Sequence, residues 1–222
     1  MNHPDWYETL SHHHKNPVFT KEDFENCKKE VLKDLRYYRK YLSKGSKILD
    51  LGCGLGSKAV PLSSLGYKVV GMDRDKRVVK AAKQNAKNFG GDIEIIEGDI
   101  FGLDKIFDKD SFDACISAGI LEHFKEDDAR KLVDLQLRLS PLVIASMPVK
   151  TERLMKSHGF AESDASNGTD GNGIHSNFLS EDQWVNTVLK DYNIAEHFVE
   201  SSDPDARNFQ LVYLFIKRKY NN

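Results

Sequence analysis

Behind a polar arm of about twenty residues, Phe24, Cys27, Val31, Leu35, Tyr38 and Leu42 recur three or four positions apart, with lysines and glutamates between them. That spacing predicts an amphipathic helix ending near Gly45, and Thr20 followed by Asp23 offers a capping-box start. From Lys47 the pattern changes. Ile48-Leu49-Asp50-Leu51 reads as a buried strand, and the glycine-rich run Gly52–Gly56 opens a second helix. Tyr67–Met72 is the next strand, closed by Asp73. Asp75 can cap a helix with Val78, Val79, Ala82, Ala86 and Phe89 on its apolar face. Asp92–Glu97 and Phe112–Ser117 are two further strands, followed by a helix over Glu126–Leu139 and a strand over Leu142–Met147. Strands alternating with helices predict an α/β fold, three-layered and doubly wound, with a mostly parallel sheet. The apolar-rich strands agree with a sheet covered on both faces.

After Pro148 the pattern breaks. Residues 161 to 173 contain almost nothing to bury and read as a mobile surface loop. Ser180 and Gln183 form a capping box before Trp184, Val188 and Leu189. Ile194–Val199 and Phe209–Ile216 then read as closing strands, joined by a turn at Asp203-Pro204-Asp205.

Composition narrows the function classes. The chain has 222 residues, of which 40% are hydrophobic, enough for one generous domain. Its 32 basic and 34 acidic residues give a net charge of −2, which argues against a protein that coats nucleic acid or anionic membrane. No apolar run approaches the roughly 20 residues of a membrane span. The N-terminus lacks the basic and apolar regions of a secretory signal, and the three cysteines, Cys27, Cys53 and Cys115, show no paired spacing. A cytoplasmic protein without membrane partners is expected.

The candidate chemistry begins at Asp50-Leu51-Gly52-Cys53-Gly54-Leu55-Gly56. Glycines directly after a buried strand let the backbone turn sharply and approach a ligand, and the following helix start offers free N–H groups. The spacing is G-x-G-x-G, not the G-x-G-x-x-G of dinucleotide sites, and Asp50 would repel a diphosphate but suit an ammonium group. Asp73 stands about twenty residues on, at the end of the next strand, where ribose hydroxyls are bound. Asp99, in Gly98-Asp99-Ile100, ends the third strand; it is either an adenine-reading residue or an ordinary turn aspartate.

Asp50 to Gly56, Asp73, Gly98-Asp99-Ile100 and Leu121-Glu122-His123 together resemble the class I S-adenosylmethionine-dependent methyltransferases in order and spacing. The resemblance covers residues 46 to 147 strongly and the last two strands topologically. It implies a seven-stranded sheet with only the last strand antiparallel, and a single domain over 1–222. Residues 1–45 would be an N-terminal arm and helix serving as a lid, 46–147 the cofactor-binding core, 148–178 a loop or cap, and 179–222 a closing helix and hairpin. It further implies that Asp50, Gly52, Cys53, Gly54 and Gly56 line the methionine part of the cofactor, and that Asp73, with Arg74, binds the ribose. Asp99 and Ile100 would meet the adenine, while Ser117, Ala118 and Gly119 border the reacting methyl.

Other residues carry open alternatives. His123 is a catalytic base or a holder of its loop; His175 reaches a substrate or anchors the helix start near Phe178. Cys53 and Cys115 are small fillers rather than nucleophiles. In His12-His13-His14, consecutive residues cannot all face one ion, so no metal site is expected; the loop is solvated or substrate-facing, with His13 the substrate-side candidate. Trp6, Tyr7, Tyr37 and Tyr38 either close over a cationic sulfonium or form the hydrophobic side of a packed helix, the second being the better reading for Tyr38.

The expected activity is methyl transfer from S-adenosylmethionine, leaving S-adenosylhomocysteine, to a small-molecule acceptor by in-line displacement without a metal. Ser117-Ala118-Gly119-Ile120 lacks the proline-rich pattern of nucleobase-amino methylation, so nucleic acid is not the expected partner. A binding module of this fold without turnover, and an enzyme acting on tRNA or protein, are the alternatives; a monomer or homodimer is expected.

Overall fold

A capping box opens the first helix, α1 (Lys21–Tyr38): the Asp23 N–H donates to Thr20 Oγ1, and Asp23 Oδ2 accepts from the Thr20 N–H. The computed structural model describes residues 16–149, 168–169, 175–201 and 210–219. Helix α1 stops at Tyr38 rather than near Gly45, because the Lys40 and Tyr41 N–H groups bond three residues back, to the Tyr37 and Tyr38 carbonyls, and tighten the turn. Leu42 is still buried, so helical spacing of apolar residues continues into a turn that is not α-helical.

The strands and helices follow in alternation: β1 (Lys47–Leu51), α2 (Ala59–Ser64), β2 (Lys68–Asp73), α3 (Lys76–Phe89), β3 (Ile93–Glu97), a short α4 (Leu103–Ile106), β4 (Ala114–Ala118), α5 (Glu126–Leu139) and β5 (Leu142–Pro148). Two-residue strands β6 (Gly168–Thr169) and β7 (His175–Ser176) come next. The chain closes with α6 (Glu181–Gln183), a π-helical turn over Trp184–Val188, β8 (Asn193–Ser201) and β9 (Gln210–Lys217). One sheet of seven strands has the order β3-β2-β1-β4-β5-β9-β8. Pairs β1–β2 and β2–β3 are parallel, and β9, the last strand, is antiparallel to both β5 and β8. The expected α/β sheet, mostly parallel with its last strand reversed, is therefore the observed one.

The chain divides into two compact units that part between Ile116 and Ser117. In the first, Asp75 caps α3 by accepting from the Arg77 N–H at 2.8 Å, as its position predicts. Phe19, Leu55, Val78 and Ala81 form a buried cluster joined by Cys27 and Phe89, and Phe24 stacks on Phe89 with ring centroids 4.8 Å apart. The segment just before α1 is thus packed rather than solvated.

In the second unit, three acidic residues, Glu126, Asp127 and Asp128, occupy the first turn of α5 and complement its dipole. At its other end the Arg218 guanidinium donates to the carbonyls of Leu137, Arg138 and Ser140. Ser180 and Gln183 make the expected capping box, and Trp184 and Val188 are buried behind it. Of the expected loop 161–173, Gly168 and Thr169 pair with Ser176 and His175; its other residues and the turn Asp203-Pro204-Asp205 lie outside the described residues.

Candidate functional site

The first unit gathers the cofactor-type residues at the C-terminal ends of β1, β2 and β3. After β1 the chain reverses through Gly52 (φ 59°) and Gly54 (φ 54°), a region only glycine enters freely. Gly56 is held more tightly, at φ 88°, where an added Cβ would lie 2.7 Å from Val60 Cγ2. The Cys53 N–H donates to the Met72 carbonyl at 2.9 Å, fastening the loop across to β2. Its thiol lies beneath Gly71, where a Cβ would meet Sγ at 3.1 Å, and burial pushes its pKa well up. Cys53 is a filler in an inert, protonated state.

Asp73 ends β2 and organises the turn. Its Oδ2 accepts from the Gly54 N–H at 3.1 Å, and its Oδ1 accepts from the Asp75 N–H at 3.0 Å. Each oxygen keeps further lone-pair capacity. The carboxylate is half-buried, and the neighbouring Arg74 is exposed. Asp99 caps the turn over Ile100–Gly102, with Oδ1 accepting from the Phe101 N–H at 2.9 Å, so its turn role is realised.

Asp50 is 3% exposed. Burial pushes its carboxyl up to about 7, against the Lys58 charge and a backbone hydrogen bond at Ala59, and with a contribution from Asp73. Lys58 also forms an ion pair with Asp34, a buried residue of α1 that lies 3.5 Å from the Tyr38 hydroxyl. Tyr38 is packed, as expected. Tyr37 is half-buried with the Arg36 guanidinium 5.5 Å from its ring centroid.

Two residues that pattern reading passes over matter here. Asn85, fully buried on α3, accepts from the Phe19 N–H at 2.8 Å and donates to the Leu55 and Pro17 carbonyls at 2.9 and 3.1 Å. One amide therefore ties the glycine loop to the chain before α1. Asp34 is the other. The available signal was position: Asn85 lies three residues after Ala82 and four before Phe89, and Asp34 stands in the same relation to Val31 and Tyr38.

The second unit holds the remaining candidates. Ser117 is fully buried and its hydroxyl donates to Gln136 Oε1 at 2.5 Å, so its side chain serves α5 packing. Ala118 is half-buried; Gly119 adopts φ 69° and donates its N–H to the Ser146 carbonyl at 2.9 Å. His123 is half-buried with Nδ1 3.4 Å from Ser176 Oγ. The same turn is clasped by Asn177, whose backbone N–H donates to the Glu122 carbonyl at 2.6 Å and whose Nδ2 donates to the Phe124 carbonyl at 2.5 Å. Glu122 is only 2% exposed, and burial pushes its carboxyl up to about 8. For His175 the backbone pairs with Thr169; Trp6, Tyr7 and His13 lie outside the described residues. Among the described residues no group of three or more His, Cys, Asp or Glu side chains could hold a metal ion, and no helix is long and apolar enough to cross a membrane.

Residues 48–139, from the second residue of β1 to the end of α5, match the family model described as a methyltransferase domain. A ribosomal protein L11 methyltransferase of Thermosipho africanus is 39% identical over 75 residues, 33% of this chain and 29% of the relative. A ubiquinone biosynthesis O-methyltransferase of Pelagibacter ubique is 33% identical over 118 residues, 52% of this chain and 46% of the relative. The chain spans less than half the length of these curated relatives. Among solved structures, an S-adenosylmethionine-dependent methyltransferase of Methanosarcina mazei superposes with a TM-score of 0.66 at 18% identity, covering 81% of this chain and 95% of the other. Magnesium protoporphyrin IX methyltransferase of Synechocystis, solved with bound S-adenosylhomocysteine, superposes with a TM-score of 0.63 at 20% identity, covering 90% and 88%. Sheet order and superposition define the class as the seven-stranded class I methyltransferase fold. Within it, residues 48–139 are the part similar to the methyltransferase-domain model.

Proposed function

We propose that the protein is an S-adenosylmethionine-dependent methyltransferase that acts on a small-molecule acceptor and releases S-adenosylhomocysteine. The observation that carries this reading is Asp73: a half-buried carboxylate at the end of β2, steadied by the Gly54 and Asp75 N–H groups at 3.1 and 3.0 Å. A carboxylate so placed suits a ribose diol. The residues fit the rest of the cofactor as well. Gly52, Cys53, Gly54 and Gly56 bring backbone close to the methionine part, and Asp50 supplies a buried carboxyl for its ammonium group. Ile100, half-buried at the start of its turn, offers an apolar contact for the adenine, with Asp99 at its edge. The sulfonium supplies an already activated methyl carbon, so the protein's task is alignment and exclusion of water rather than strong acid catalysis.

The small-molecule acceptor is supported by the near-neutral charge, −2 overall, and by the similarity to the ubiquinone biosynthesis O-methyltransferase. Ser117, Ala118 and Gly119 would border the reacting methyl. Residues 1–45, with Trp6, Tyr7, His13 and Tyr37, and residues 148–178, with His175, would act as lid and cap. His123 holds its turn through Ser176 in this reading. Three free cysteines support a reducing, cytoplasmic setting, and a monomer or homodimer is sufficient for the site.

Calorimetry with S-adenosylmethionine, S-adenosylhomocysteine and NAD tests the cofactor. Micromolar binding of the first two without NAD is expected; tight NAD binding alone would overturn the reading. Incubation with methyl-labelled cofactor and a metabolite extract then tests turnover. Label appearing only in protein or tRNA fractions would replace the small-molecule acceptor.

A further inference from the structure

Glu122 and Asn177 are directly linked, since the Asn177 N–H donates to the Glu122 carbonyl at 2.6 Å. Both are buried, at 2% and 4% exposure. Each nevertheless carries a fully enclosed polar atom without a hydrogen-bond partner among the described residues, Glu122 Oε2 and Asn177 Oδ1. Such atoms are costly when nothing satisfies them, and native folds keep few. The Asn177 amide is not free to turn over and hide its oxygen, because Nδ2 is engaged by the Phe124 carbonyl. The other carboxyl oxygen, Oε1, lies next to Gly119, 3.6 Å from where a Cβ would stand, and Gly119 is exposed. Oε1 thus stands at ordinary contact distance from the exposed Gly119 backbone.

We propose that the Glu122 carboxyl and the Asn177 amide oxygen form a recognition site for a hydroxyl or amino group of a small molecule. This rests on the methyltransferase reading only in taking that molecule to be the methyl acceptor. The chemistry of the pair defines the ligand group. Asn177 Oδ1 can only accept a hydrogen bond, so the ligand must donate. Glu122, largely protonated near neutral pH because burial lifts it to about 8, both donates and accepts. A hydroxyl, which also donates and accepts, complements the pair. A basic amine does so by drawing the Glu122 proton and leaving an ammonium–carboxylate pair. A group with no donor leaves Asn177 Oδ1 unsatisfied.

The test uses three probes of one shape, benzyl alcohol, benzylamine and toluene, titrated into the full chain. The side-chain amide protons of Asn177 are followed by NMR, with and without S-adenosylhomocysteine. The alcohol and the amine are expected to shift those protons and to bind about ten-fold more tightly than toluene, the worth of a single satisfied buried hydrogen bond. Glu122→Leu should bring both down to the toluene level while leaving S-adenosylhomocysteine affinity within about two-fold. Should that variant fail to fold, Glu122→Gln decides. It keeps donor and acceptor but cannot ionise, so the alcohol should be retained and the amine weakened about ten-fold. Equal binding of all three probes to the native chain, no binding of the alcohol or the amine, or an unchanged preference in both variants overturns the proposal. Failure of S-adenosylhomocysteine to bind while the alcohol and amine still prefer the native site would count against the methyltransferase reading alone.

Discussion

Asp73 steadies the turn after β2 and is the proposed ribose ligand, and one substitution removes both roles. Its oxygens hold the Gly54 and Asp75 N–H groups and, in the proposed complex, the ribose. Asp73→Ala is expected to weaken S-adenosylmethionine binding by about 1.5–3 kcal/mol, roughly ten- to a hundred-fold, because hydrogen bonds to a charged group are lost. The melting temperature should fall as well, since two N–H groups lose their acceptor. Calorimetry on the folded variant is the check, and unchanged affinity there would remove Asp73 from the ribose site. Asp50 predicts a pH profile instead. With its carboxyl lifted to about 7, it is mostly neutral at pH 6 and charged above 7. A free α-amino group loses its proton near about 7.7–8.0. Cofactor affinity should therefore rise between pH 6 and 7.5 and decline above about 8. Asp50→Asn should flatten the acid limb, as a titration series in isothermal calorimetry would show.

At the scale of elements, the glycine loop is fixed from three sides: by Asp73 from β2, by the Cys53 N–H to Met72, and by Asn85 from α3. Asn85→Ala would strand the buried Phe19 N–H and Leu55 carbonyl, and would release the half-buried Pro17 carbonyl. A loss of about 2–4 kcal/mol in unfolding free energy is expected, read as a lower urea midpoint at unchanged slope. Strands and helices were readable from the sequence to within a few residues, because β1, β2 and β5 are apolar runs and α3 carries a clean apolar stripe between lysines. The end of α1 was not, because Leu42 is buried in a turn that keeps helical spacing. Asn85 stands between the polar Lys83-Gln84 and Lys87 and is itself polar, so the apolar stripe does not include it. Only its register with Ala82 and Phe89 marks it as buried. The Lys58–Asp34 ion pair spans 24 residues, and no local pattern announces it. The glycine turn was readable because its geometry depends on consecutive backbone, which the sequence displays directly, and Asp73 because it closes the strand β2.

For the whole molecule, enclosing carboxyls such as Asp50 and Glu122 makes stability depend on pH in a definite direction. Glu122 has an ordinary pKa of 4.5, and burial lifts it to about 8 in the fold. Between those values the folded chain holds a proton that the unfolded chain has released, so unfolding free energy falls as pH rises. The stability associated with the neutral acid is complete below about 4.5 and gone above about 8. Glu122→Gln keeps nearly the same shape and cannot ionise. Relative to the native chain, the variant should therefore gain stability as pH goes from 5 to 9, by roughly 1–3 kcal/mol, a fraction of the full shift because an opened fold lets water reach the carboxylate. Urea denaturation of both proteins at pH 5, 7 and 9 supplies the comparison, and using the difference cancels the other groups that titrate in the same interval. A difference that stays constant with pH would mean that Glu122 ionises at an ordinary value in the fold. The carboxyl would then be met by water or by a positive charge. An acceptor ligand carrying an amine should reverse the trend, since it stabilises the ionised form that burial alone opposes.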